Sequence, residues 1–273
     1  MGETGMPFVK LMKHNIYYED HGEGETMILL HHGFGCTEMW SEIYPSLVQA
    51  GYRVILYDRR GFGRSERGDD FMEFYTSDGF RPAAVEELEN FKRELGIGKC
   101  HLIGQCEGGV VAIDYAAKWP DQVTSITISS TQCYSEVPVE ELNRQKFYKA
   151  FHELDPNLQR KYTEWHGKDV EAAFNQFRTY GGEYGRDFFD IRPVLPHVRC
   201  PVLILYPDRS FLFSVEQAVA LYRGLPLGEL MVLPDCVHNT YEQEPEEYIR
   251  AVLNFMQRQK SPRKRPVRLT CAA

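Results

Sequence analysis

A cysteine framed by glycines, between an apolar run and a helix-like run, constrains this chain more than any other feature. Residues 102–109 read Leu-Ile-Gly-Gln-Cys-Glu-Gly-Gly. A sharp turn that leads directly from a strand into a helix strains the dihedral angles of the residue at the centre of the turn. Glycines on both sides let the strand and the helix pass closely. The pattern predicts that Cys106 stands at the carboxyl edge of a sheet, above a helix N-terminus. The alternative is a structural cysteine in a tight turn, since free cysteine is among the most buried residue types.

The chemistry of a thiol at such a turn is that of a nucleophile. A helix N-terminus and a neighbouring imidazolium both lower a thiol pKa, which favours a thiolate–imidazolium pair. Glu107 follows Cys106 directly. If its carboxylate faced the sulfur, it would disfavour ionisation of the Cys106 thiol. At a sharp turn, however, adjacent side chains diverge, and the carboxylate could instead contact a polar group of a substrate.

Short apolar strands alternate with amphipathic helices along most of the chain, which predicts an α/β fold with a mostly parallel sheet covered on both faces. The segment 132–192 breaks this rhythm, because it contains helical patterns and no convincing strand. We interpret it as a helical cap inserted into a core domain that comprises residues 8–131 and 193–259. The basic, proline-interrupted stretch 260–273 is expected to be a disordered tail.

Composition excludes several classes of function. The chain has 273 residues and a formal net charge of −8, which disfavours a nucleic-acid partner. It has neither a run of about 18 apolar residues nor a signal-peptide pattern. We therefore expect a cytoplasmic location without membrane association. Its seven cysteines have irregular spacing without a C-x-x-C pair, so neither a metal site nor a disulfide framework is expected.

Four motifs together resemble the α/β-hydrolase family, and the resemblance spans about residues 8–259. They are His31-His-Gly-Phe-Gly35 after a strand, Asp58-Arg-Arg-Gly-Phe-Gly-Arg-Ser65, the turn around Cys106, and a late histidine, His238, ahead of an acidic-Pro helix start. The resemblance implies an α/β-hydrolase fold with helices on both faces of the sheet.

The resemblance also implies roles for the residues at these positions. In the family's order of nucleophile, acid and base, Cys106 is the nucleophile, Asp208 after a strand is the acid, and His238 is the base. Asp235 is the alternative acid, although it lies only three residues before His238. The backbone N–H groups of Phe34 and Glu107 would form the oxyanion hole.

The expected function is hydrolysis of an activated ester, lactone or thioester, or of a C–C bond next to a carbonyl, through an acyl group on Cys106. The cysteine motif is similar to that of dienelactone hydrolases, which use a Cys-His-Asp triad but lack a helical cap. The expected partner is a small-molecule carbonyl substrate, with Trp165, Phe147 and Phe211 as candidate substrate-binding residues. No cofactor is expected, and the chain is expected to be a monomer or homodimer. An acyltransferase and a slow-turnover ligand sensor are the competing interpretations.

Overall fold

An eight-stranded sheet runs through the centre of the structure, a computed structural model that describes residues 7–260. The order across the sheet is β1-β2-β4-β3-β5-β6-β7-β8. The first two strands pair antiparallel, β2 also runs antiparallel to β4, and the remaining neighbours are parallel. The strands are β1 (Phe8–Leu11), β2 (His14–His21), β3 (Glu25–Leu30), β4 (Tyr52–Tyr57), β5 (Cys100–Gln105), β6 (Val123–Ser129), β7 (Val202–Pro207) and β8 (Gly228–Leu233).

Helices cover both faces of this sheet, which confirms the predicted α/β architecture. Every residue of β5 and β7 is buried, as expected for parallel strands between two helical layers. The helices are α1 (Tyr44–Gln49), α2 (Phe71–Tyr75), α3 (Phe80–Glu94), α4 (Glu107–Lys118), α5 (Val139–Lys146), α6 (Pro156–His166), α7 (Val170–Tyr180), α8 (Val215–Gly224), α9 (Thr240–Gln243) and α10 (Pro245–Lys260). One core cluster lies under α3, α4 and α8, and a second lies under α1 and α10.

The helical segment between β6 and β7 leaves and rejoins the core at adjacent points. The stretches of chain that enter and leave this segment meet in an isolated antiparallel bridge between Tyr134 and Asp190. Ile191 N also donates to Cys133 O at 2.9 Å. This base places α5, α6 and α7 over the carboxyl edge of the sheet. We call this segment, residues 132–192, the cap.

Apolar periodicity in the sequence predicts one helix over residues 38–50 and another over residues 139–154, and both are shorter in the structure. The periodic run 38–50 divides into a 3-10 turn and α1, because Pro45 occupies the first turn of a new helix, where its missing N–H is tolerated. The run 139–154 is helical only to Lys146, because Arg178 Nη1 donates to the carbonyls of Phe147 and Tyr148 and holds that segment outside the helix.

The end of the chain differs slightly from the prediction. Lys260, the first residue of the expected tail, is the last residue of α10 and forms an ion pair with Glu25 at 2.7 Å. The rest of that predicted tail, residues 261–273, lies outside the described part of the chain. Within residues 7–260, no helix has both the length and the apolar character needed to cross a membrane.

Candidate active site

Cys106 occupies the predicted sharp turn between β5 and α4. Its φ of 55° and ψ of −114° are strained for a residue with a side chain. A Cβ on Gly104 would collide with the backbone of Gly108, and a Cβ on Gly108 would collide with the backbone of Leu30. The two glycines are therefore required by the close approach of strand and helix, as the sequence indicates.

The thiol of Cys106 is buried, and its hydrogen-bond partner comes from the cap. The sulfur lies 3.5 Å from the hydroxyl oxygen of Tyr184, and Cys106 is 5% exposed. The Gln132 backbone N–H donates to the same hydroxyl at 3.4 Å, which leaves the hydroxyl proton free to point at the sulfur. Sequence reasoning missed Tyr184, since the Gly181-Gly182 pair before it signals only the end of a helix.

The carboxyl group of Glu107 lies inside the site. Its side chain is wedged between Gly33 and Gly182, where a Cβ on either glycine would collide with it, and the residue is 2% exposed. Burial raises the pKa of Glu107 to about 8, against the opposing charge of Arg59. Glu107 therefore places a buried carboxyl group beside Cys106.

The electrostatics of the site favour a neutral thiol in the resting state. Burial and the Glu107 carboxyl raise the pKa of Cys106, and the contacts with Tyr184 and the Glu107 N–H oppose this rise only in part. Burial also lowers the pKa of His238 to about 4, so this imidazole is neutral at pH 7. The thiolate–imidazolium pair that the sequence favours is therefore not the resting state.

His238 faces the same cavity as Cys106 and is oriented by neutral groups. Its carbonyl accepts hydrogen bonds from Gln105 Nε2 at 2.9 Å and from Ser130 Oγ at 2.6 Å. Its Nδ1 lies 3.1 Å from Ser210 Oγ. Within the described residues, His238 makes no hydrogen bond to Cys106, so the two lie in one cavity without a direct link.

The structure does not connect Asp208 to His238. Asp208 N donates back to Leu233 O, and Asp208 Oδ1 accepts from Cys236 N at 3.1 Å. Burial opposes ionisation, but the backbone N–H groups of Cys236 and Asp235 outweigh it and lower the pKa of Asp208. In this structure Asp208 therefore shapes the turn. Ser210, two residues later, lies at the His238 imidazole, the place that the resemblance implies for Asp208.

The alternative acid, Asp235, is also outside the site. Its side chain is 86% exposed and pairs with Arg209 at 3.0 Å. The carboxylate that the resemblance implies at His238 is therefore absent within residues 7–260.

The two expected oxyanion-hole donors differ in their availability. Phe34 N donates to His32 Nδ1 at 3.2 Å, so a substrate oxygen would compete with that imidazole. The Glu107 N–H lies in the first turn of α4, directly after Cys106. The positive end of the helix dipole thus lies beside the Cys106 side chain.

A cavity of about 430 Å³ separates the cap from the core and reaches both Cys106 and His238. Phe147 and Phe211 line it, together with other aromatic and aliphatic side chains. Trp165 does not, because its ring packs near those of His32 and Tyr162, with Lys161 Nζ 4.7 Å from its centroid. Within the described residues, no group of His, Cys, Asp and Glu side chains is arranged to hold a metal ion.

A buried ion pair ties the cap to the core beside this cavity. Arg59, after β4, pairs with Glu183 in the 3-10 turn Gly182–Tyr184, and both side chains are almost fully buried. Arg59 N also donates to His31 Nε2 at 3.0 Å. The pair fixes the residue next to Tyr184, and so determines where the tyrosine hydroxyl meets the thiol.

Comparison with known proteins agrees with this architecture. Residues 25–167 match the family described as the alpha/beta hydrolase fold. The proline iminopeptidase of Lactobacillus helveticus is 35% identical over 151 residues, which cover 54% of this chain and 49% of that protein. The chain therefore spans about half the length of the first curated relatives that it matches.

Other similarities extend over nearly the whole chain. The 2-hydroxy-6-oxononadienedioate/2-hydroxy-6-oxononatrienedioate hydrolase of Escherichia coli is 25% identical over 268 residues, with 89% of this chain and 91% of that protein covered. The structure of the enol-lactonase from Burkholderia xenovorans superposes with a TM-score of 0.73 at 18% identity and covers 92% of this chain and 100% of its own. Because the family match spans more than half of the sequence, the chain belongs to the alpha/beta hydrolase fold family.

Proposed function

We propose that this member of the family is a thiol-dependent hydrolase. Its substrates are activated esters, lactones or thioesters, or compounds with a scissile C–C bond next to a carbonyl. The observation that carries the proposal is the position of Cys106, on a strained turn at the wall of a largely apolar cavity, with a helix N-terminus beneath it. The names of the Escherichia coli hydrolase and the enol-lactonase support this range of carbonyl substrates.

The proposed reaction begins with attack of the Cys106 sulfur on the substrate carbonyl carbon. As the S–C bond forms, the thiol proton passes to Nε2 of His238, in the tautomer whose Nδ1–H donates to Ser210. The carbonyl electron pair moves to oxygen, where the Glu107 N–H faces the developing charge. The tetrahedral intermediate collapses to a thioester, and the leaving group takes the proton from the His238 imidazolium.

Water then completes the cycle. His238 removes a proton from water as the hydroxyl oxygen attacks the thioester carbonyl. The C–S bond then breaks to release the acid, and the His238 imidazolium returns its proton to the Cys106 sulfur. A direct contact between His238 and Cys106 would form in the substrate complex, since catalytic hydrogen bonds are often long in empty sites.

A slow-turnover ligand sensor is the second candidate, and two observations favour it. No carboxylate of the described residues contacts His238, and the pKa of the Cys106 thiol is raised. Both features slow formation of the thiolate. Fast multiple turnover would exclude this candidate, whereas one stable covalent modification per chain would support it.

Intact-mass spectrometry during incubation with an aryl ester and an enol lactone tests the proposal. Wild type should gain one acyl group that decays as product is released, and Cys106→Ala should show neither adduct nor product. Cys200→Ala removes another buried thiol, after the cap, and should behave as wild type. Equal product from Cys106→Ala and wild type would refute the role of Cys106.

Removal of the Cys106 sulfur should leave the fold intact. We expect Cys106→Ala to lose turnover while its thermal midpoint shifts by only a few degrees, because the sulfur touches the cavity on one side. Differential scanning calorimetry of both cysteine variants provides the comparison. A large loss of stability specific to Cys106→Ala would indicate a packing role instead.

A further inference from the structure

The cap wall of the cavity carries polar groups that the proposed reaction does not use. Asn143, Lys146 and Lys149 line the cavity on this side, among otherwise mostly aromatic and aliphatic neighbours. Asn143 and Lys146 are three residues apart on α5 and therefore share one face of the helix. Two lysine side chains thus line the same side of the cavity, because Lys149 follows just beyond the end of the helix that carries Lys146.

These two lysines are not paired with acidic residues of the protein. Lys146 and Lys149 are exposed, and no carboxylate within residues 7–260 lies at ion-pair distance from either. The acidic residues of α5 are engaged elsewhere, since Glu140 pairs with Arg186 at 2.7 Å and Glu141 pairs with Arg144. Both ammonium groups are therefore available to an anion bound in the cavity.

The amide of Asn143 also lacks a partner. Asn143 is 5% exposed, and its Nδ2 has no acceptor within the described residues. The same nitrogen has almost no surface open to a water-sized group, so it is packed against its neighbours and is not a ligand contact. The case for a ligand on this wall therefore rests on the two lysines.

The backbone between the lysines is anchored and does not rely on the ligand for its position. Arg178 Nη1 donates to Phe147 O at 3.1 Å and to Tyr148 O at 2.9 Å. The two ammonium groups are therefore carried by a fixed segment, which reduces the entropy lost when they engage an anion.

From this arrangement we propose that Lys146 and Lys149 form an anion subsite for the carboxylate of an acyl substrate. The apolar body of that substrate fills the cavity toward Cys106. The inference rests on the proposed function in one respect, because it takes this cavity as the substrate site. It narrows the substrate class to amphiphilic carbonyl compounds with a carboxylate remote from the scissile bond.

Binding tests the subsite without any turnover. Isothermal titration calorimetry at low ionic strength would compare 4-phenylbutyrate with its neutral isostere 4-phenylbutanamide. We expect wild type to prefer the carboxylate by about tenfold, roughly the sum of two exposed ion pairs. The preference should shrink as salt is added, because exposed charges are screened.

Matched variants separate the subsite from the net charge. The double variant Lys146→Gln/Lys149→Gln should bind both ligands equally. Lys99→Gln/Lys168→Gln removes two exposed lysines that do not line the cavity and should keep the preference. Equal binding of the two ligands by wild type, or no binding of either, would overturn the inference, as would a preference that survives in Lys146→Gln/Lys149→Gln.

A turnover experiment distinguishes failure of the subsite from failure of the proposed function. The substrates would be the mono-p-nitrophenyl ester of suberic acid and its mixed methyl p-nitrophenyl diester. Cys106-dependent hydrolysis of both at equal kcat/KM would leave the hydrolase standing and overturn the subsite. Hydrolysis of neither, together with carboxylate-selective binding, would overturn the hydrolase and leave the subsite standing.

Discussion

At the residue scale, Glu107 places a buried carboxyl group directly after Cys106. Its carboxyl is buried against Gly33 and Gly182, and its pKa is raised to about 8. In the unfolded chain the same carboxyl ionises near pH 4.3. Folding therefore favours the protonated form, and the contribution of Glu107 to the free energy of unfolding falls as the pH rises from about 4 to about 8.

Replacing Glu107 by Gln should remove this dependence. The gain in the free energy of unfolding relative to wild type should be larger at about pH 9 than at about pH 5, by on the order of 3 kcal/mol. Urea denaturation of both proteins at the two pH values measures it. A difference independent of pH would show that the Glu107 carboxyl ionises freely in the folded protein.

Tyr184 is the second residue whose role depends on its place in the fold. Its hydroxyl is the hydrogen-bond partner of the Cys106 sulfur, and a hydrogen bond to a charged group stabilises it by about 1.5–3 kcal/mol. Tyr184→Phe should therefore lower the rate of Cys106 alkylation by iodoacetamide by about 10- to 100-fold at neutral pH and raise the apparent pKa of that reaction.

Another cavity tyrosine supplies the control for this prediction. Tyr162 lines the same cavity, and no hydrogen bond joins it to Cys106 in the described structure. Peptide mapping would follow alkylation of Cys106 separately from the other buried cysteines. Equal alkylation profiles for wild type, Tyr162→Phe and Tyr184→Phe would show that the tyrosine hydroxyl does not stabilise the thiolate.

At the scale of elements, the loop after β4 and the base of the cap are joined by the Arg59–Glu183 pair. Both side chains are buried, so removing one partner leaves an uncompensated charge in the interior. Glu183→Gln should lower the free energy of unfolding by about 3–5 kcal/mol. Glu140→Gln breaks the half-exposed pair with Arg186 and should cost less than about 1 kcal/mol.

Chemical denaturation of these two variants measures the difference. Similar small losses in both would mean that the Arg59–Glu183 pair does not hold the cap. A large loss confined to Glu183→Gln would agree with a cap whose base is anchored by this pair.

At the scale of the whole molecule, the sheet and the cap should differ in local stability. Every residue of β5 is buried, whereas α6 contains no buried residue. Amides of β5 should therefore exchange with solvent only on global unfolding, and those of α6 through local opening. Hydrogen-exchange mass spectrometry should show α6 exchanging faster by orders of magnitude, and equal protection of both would mean that cap and core open as one unit.

The sequence by itself determined the architecture and the position of Cys106 at a strained turn. Apolar strands, helix periodicity and glycine requirements are local properties, so the α/β fold and the turn at Cys106 could be predicted from adjacent residues. Errors at this level were confined to helix ends, as at Lys146, where Arg178 from another helix ends α5.

Only the tertiary structure decided what surrounds the thiol. Tyr184 lies 78 residues from Cys106 and reaches it through the docked cap, and Ser210 meets His238 because the chain turns back at Asp208. Trp165 similarly packs against the core instead of lining the cavity. Residue types and spacing identify which groups are available, but the contacts among distant segments, set by packing of cap on core, determine which of them meet.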